Sequence, residues 1–133
     1  MKHSDIRQAI IDALENSGTC EGAVFFDGRP AVLSEDDFPA VAVYLTDAEY
    51  TGDELDADTW SATLHIEVLL PAQVPDSELD EWMESRIYPV LDSVPALNGL
   101  LMTMVQKSYD YQRDDDMGMW SSADLQYSIT YEM

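Results

Sequence analysis

Apolar and polar residues alternate almost without error over Thr59–Leu70. Trp60, Ala62, Leu64, Ile66, Val68 and Leu70 fall on one side; Ser61, Thr63, His65 and Glu67 fall on the other, and Leu69 is the exception. A period of two predicts a strand with one buried and one wetter face. Pro71 cannot donate to a ladder and ends it. The period then changes: Leu79, Trp82, Met83, Ile87, Val90 and Leu91 recur at three- and four-residue spacing, the mark of an amphipathic helix. Asp76 or Ser77, just after Pro75, is placed to cap it. The longest strand and the largest apolar helix face should meet here and form the core.

The other elements are shorter. Ser4–Asn16 predicts a first helix, with Ser4 as N-cap, an apolar stripe of Ile6, Ala9, Ile10, Ala13 and Leu14, and Gly18 as terminator. Ala23–Phe26, the turn signal Asp27-Gly28 and Ala31–Leu33 suggest a hairpin, which Pro30 weakens. Ala40–Leu45 alternates as a strand. Thr46–Asp58 reads as an acidic loop, and long loops carry function more often than short ones. Pro89 should kink or stop the second helix. Leu101–Tyr111 predicts a strand, Gln112–Met119 a loop, and Ser121–Tyr131 a final strand with Ala123, Leu125, Tyr127, Ile129 and Tyr131 on one face. The chain of 133 residues reads as a single domain, 1–133, of class α+β: a mostly antiparallel mixed sheet with two main helices packed on one face.

Composition adds a strong bias. The apolar fraction of 46% suits a packed core. With 27 acidic against 6 basic residues, the net charge is −21. Such a chain is repelled by phosphate backbones and anionic lipid, which argues against sequence-specific nucleic-acid binding and against a membrane partner. Met1-Lys2-His3-Ser4-Asp5 lacks a signal-peptide apolar run, so a soluble cytoplasmic product is expected.

Candidate chemistry is sparse. No metalloprotease HExxH, no GxSxG elbow and no phosphate-binding GxxxxGK[ST] occurs. Cys20, the single cysteine, reads as a small turn or surface residue, and His65 as a surface or interface residue. Asp53, Glu54, Asp56 and Asp58, and then Asp114, Asp115 and Asp116, lack the ligand spacing of a calcium loop and read as solvated charge runs. No catalytic residue, bound cofactor or metal ligand is assigned, and no enzyme is expected. These acids, with Asp76, are the candidate interface residues.

The stretches FFDGRPAV (25–32), DFPAVAVYLT (37–46), LHIEVLLPAQVPDSELDEWMESRIYPV (64–90) and WSSADLQYSITYEM (120–133) resemble the minor tail protein U family of lambda-like phages, the tail terminators. The resemblance extends over the whole chain. It implies an α+β fold and a homohexameric ring that caps the tail tube, stops tube polymerisation and provides the head-joining surface. It also implies magnesium-promoted ring assembly, a major tail tube protein and a head-completion protein as partners, and a place at the head-proximal end of the virion tail after assembly in the host cytoplasm. An acidic adaptor that binds a basic protein without forming a ring is the alternative from charge alone.

Overall fold

The computed structural model describes residues 1–52 and 58–133. Five strands form one sheet: β1 (Val24–Asp27), β2 (Ala40–Tyr50), β3 (Thr59–Pro71), β4 (Thr103–Arg113) and β5 (Trp120–Glu132), in the order β1-β2-β3-β5-β4. β1 runs parallel to β2, and every other neighbouring pair is antiparallel. Helix α1 (Lys2–Ser17) and a second helix, α2 (residues 76–91), pack on one face. The α+β reading therefore holds.

The predicted faces coincide because their register does. Ala62, Leu64, Ile66 and Val68 of β3 stand opposite Ile129, Tyr127, Leu125 and Ala123 of β5. All are buried, and Ile6, Ile10 and Leu14 of α1 and Leu79, Met83 and Ile87 of α2 close over them. Burying each of these aliphatic side chains is worth about 1.5–3 kcal/mol before chain entropy is subtracted. Leu69, the break in the alternation, turns to the opposite face and packs with Leu33, Ala40 and Ala42 in a second small cluster.

Several local expectations are corrected. The hairpin does not form: residues 31–33 are not a strand, and Val24–Asp27 pairs in parallel with Ala40–Val43 instead. Parallel neighbours need a crossover; residues 28–39 supply it, and Gly28 starts it at φ 104°. β2 continues to Tyr50, through a bulge between Thr46 and Glu49 where Asp47 sits at φ 56°, so the acidic loop begins later than predicted. Ser4 is not the N-cap of α1. Met1 is, and the Ser4 hydroxyl donates to the Met1 carbonyl at 3.1 Å rather than accepting an amide. Gly18 does end the helix, at φ 74°.

Pro89 neither stops α2 nor breaks it. The helix is α-helical over Asp76–Asp80, π-helical over Glu81–Ile87 and α-helical again over Tyr88–Leu91. A wider turn before a proline removes the demand for its missing N–H. In this same stretch the Arg86 carbonyl accepts the Thr19 hydroxyl at 2.7 Å and lies 3.7 Å from Cys20 Sγ. Cys20 is thus a turn residue, but a buried one, and burial raises its thiol pKa.

Candidate assembly surfaces

The sheet face away from the helices carries a buried polar network. Glu67 of β3 has no exposed surface. Its Oε1 accepts from Arg29 Nε at 3.0 Å and from the Tyr44 hydroxyl at 2.9 Å, and its Oε2 accepts from Ser122 at 2.5 Å. Arg29 comes from the crossover and also stacks over Trp120, 5.1 Å from the ring centroid. Beside Glu67, His65 joins Asp124 Oδ2 through Nδ1 (2.8 Å) and Thr46 Oγ1 through Nε2 (2.7 Å), and lies flat against Tyr44. His65 is therefore a brace between β2, β3 and β5, not a surface residue. Burial raises the Asp124 pKa, while the hydrogen bond and charge of His65 act to lower it.

Acid, imidazole and hydroxyl in this order resemble a catalytic relay. The Thr46 hydroxyl, however, also donates to Asp47 Oδ2 at 3.3 Å. The arrangement is a hydrogen-bond ladder across three strands.

The predicted acids separate in space. Asp58 is exposed beside Thr59, where its carbonyl accepts the Met133 amide at 2.9 Å. Asp76, Asp114, Asp115 and Asp116 lie beyond the other end of β3, near Pro71 and Trp120. Thirteen residues of strand put these ends about 40 Å apart, at roughly 3.3 Å per residue. Asp53, Glu54 and Asp56 lie outside the described residues.

Asp76 is not a side-chain cap. Pro75 occupies the N-cap position, and the Asp76 carboxylate accepts from Arg113 Nη2 at 2.6 Å, which ties α2 to the end of β4. Asp114 organises its own turn. Its carboxylate takes the amides of Asp116, Met117 and Met119 at 3.0–3.2 Å, and these bonds lower its pKa. Asp115 and Asp116 stay exposed.

The few cations are already engaged. Arg7 pairs with Asp27, Arg29 with Glu67, Arg86 with Glu81 and Arg113 with Asp76. Among the described residues, no three of His, Cys, Asp and Glu converge to hold a metal ion. No helix among them is long and apolar enough to cross a membrane. Sequence reading missed Arg29, Tyr44 and Glu67 as a unit; the one signal was a glutamate within an otherwise apolar-rich strand.

The sequence profile of the phage minor tail protein U family matches residues 1–131. The chain is 75% identical over 134 aligned residues to the tail tube terminator protein of Escherichia phage N15, with 100% of both chains covered. It is 71% identical over 133 residues to the tail tube terminator protein of Escherichia phage lambda, again over 100% of both. A chain from the virion of a native gene transfer agent particle shares the fold, with a TM-score of 0.58 and 14% identity over 96% of this chain and 94% of that one.

Proposed function

This chain belongs to the phage minor tail protein U family, and on that premise we propose that it terminates the tail tube as a hexameric ring. The observation that carries the reading is the end-to-end identity of 71–75% with two tail tube terminator proteins. That identity runs the full length of both chains rather than resting on an isolated motif.

The physical properties fit the role. A ring that passes DNA gains from an acidic bore, since repulsion prevents sticking. Each copy brings a charge of −21 to the ring. Closure therefore works against repulsion, which salt screens to a range of roughly 10 Å at 0.1 M. Magnesium would promote assembly in the same diffuse manner, without a dedicated site. The two acidic ends, about 40 Å apart along β3, suit a subunit that meets the major tail tube protein on one side and a head-completion protein on the other. The ring would then sit at the head-proximal end of the tail, having been made in the host cytoplasm.

The test is a phage lacking this gene, with the purified protein added back. Over-long tubes without it, and head-competent tails of fixed length with it, are expected in electron micrographs. Normal tail lengths in its absence would refute termination.

A further inference from the structure

Strand β4 presents an open outer edge. It is last in the sheet order and, among the described residues, pairs as a strand only with β5. The helix layer covers it only in part: α1 packs over β1 and β2 and α2 over β3 and β5, while Met104 and Tyr109 pack against the core and the Gln106 amide donates to the Tyr88 hydroxyl. Most of its residues are exposed, including Val105 at 61% and Tyr111 at 47%. Tyr109 and Tyr111 reach back to Asp80 at 2.7 and 2.6 Å, which fixes the strand beside α2 without covering it. Two grooves, of about 690 and 540 Å³, lie along its helix side and meet at Gln106.

The Asp114 amide donates to the Trp120 carbonyl at 3.0 Å, so Asp114 faces β5. Peptide groups of an antiparallel strand alternate sides. Beyond the register shift between Gln106 and Ser108, Tyr109, Tyr111 and Arg113 therefore turn their N–H and C=O groups outward. An exposed strand edge of this kind is a template for pairing with another chain.

The other open edge of the sheet is β1, and the two edges differ in charge. β4 carries Lys107, an exposed cation whose ammonium donates to the Thr63 hydroxyl at 3.1 Å, whereas β1 ends on Asp27, whose half-exposed side chain already pairs with Arg7. Strand direction alternates from β4 through β5 and β3 to β2, and β1 follows β2. β1 and β4 thus run in opposite directions.

We propose that β4 of one copy pairs edge to edge with β1 of the next copy, carrying the sheet across the subunit boundary. This rests on the ring reading above and names its contact. Rotation about an axis near the strand direction preserves that direction, so the β4–β1 pair is antiparallel. The two edges are different surfaces, so the contact is head-to-tail, the type that forms a ring when its rotation closes. The neighbour's α1, which lies over its β1, then enters the grooves beside β4.

The test uses the full chain on a Cys20→Ser background. Val24→Cys, on the outer face of β1, is combined in one chain with Val105→Cys, Asp110→Cys or Gln112→Cys on β4, and a short bis-maleimide is added under assembly conditions. At least one pair should give a covalent ladder ending at the closed ring, while each single variant gives none. Val105→Glu should raise the concentration needed for assembly at least tenfold in sedimentation, with the monomer's melting temperature unchanged. A wild type that assembles while no pair cross-links, or while β4 cysteines cross-link on their own, would overturn the edge pairing and leave the ring. A wild type that stays monomeric under every salt condition would overturn both.

Discussion

Glu67 is a carboxylate with no exposed surface, held by Arg29, Tyr44 and Ser122. Removing one partner of a buried pair leaves an uncompensated charge. Arg29→Ala should therefore cost roughly 3 kcal/mol, the lower end of the usual range because Arg29 is itself 39% exposed. Urea unfolding measures it, and adding Glu67→Gln should recover part of the loss. Asp124 gives a second test, in pH. Its pKa is raised by burial, so the folded state holds this proton more tightly than the unfolded chain does. The stability it contributes is present below the unfolded value and is lost as pH rises through the folded one. Asp124→Asn carries no such charge. The stability of the variant relative to wild type should therefore increase from about pH 4 upward, as read from parallel thermal melts; a difference that stays flat with pH would exclude this role for Asp124. Neither residue could be singled out from the sequence. Alternation places His65 and Glu67 on the polar face, but their burial depends on Tyr44 of the neighbouring strand and on Arg29 of the crossover, which become neighbours only in the fold.

Elements were legible where one period ran for ten residues or more. β3 and β5 were read with their faces, and those faces meet in register residue by residue. Even the exception was informative, since Leu69 belongs to the second apolar cluster. The hairpin was misread because Asp27-Gly28 does make a turn, but one that opens a crossover rather than a return. Short apolar runs do not encode strand direction. The cap at Asp76 was misread for a different reason. A capping side chain must accept its own helix's amides, whereas this one is directed to Arg113, far away in sequence. The side chains of this pair are 47% and 55% exposed. Asp76→Ala should accordingly change stability by less than about 1 kcal/mol, short of a full cap loss, and thermal melting will show it. Sedimentation of the same variant reads any assembly role separately. By contrast, Gly18 at φ 74° does what the sequence suggested. Gly18→Ala should cost about 1–2 kcal/mol, because a side chain disfavours the left-handed region; an unchanged melting temperature would contradict that.

For the whole molecule the dominant quantity is charge. Arg7, Arg29, Arg86 and Arg113 are spent on the chain's own carboxylates, so contacts between copies must form against net repulsion. Whatever termination requires, the candidate acids among the described residues, Asp58 on one side and Asp76, Asp114, Asp115 and Asp116 on the other, lie at the two ends of the β3–β5 pair rather than in one site. A terminator must bind the end of a finished tube on one side and offer a different surface on the other, or the tube would continue. Around a ring each weak contact is repeated, so local binding multiplies into firm capping by effective concentration. It follows that charge reversal at one end should spare the function of the other. Asp115→Lys with Asp116→Lys alters the end near Trp120, and Asp58→Lys with Glu132→Lys alters the end near Thr59. All four positions are exposed, so both variants should fold and melt like the wild type. When each is supplied to particles lacking the gene, one pair should leave over-long tubes, and the other should leave tails of normal length that fail to join heads. Tail lengths in micrographs and plaque-forming particles after mixing with filled heads measure the two outcomes independently. If both variants failed in the same step, a single surface would serve tube and head alike, and the two-ended subunit would have to be abandoned.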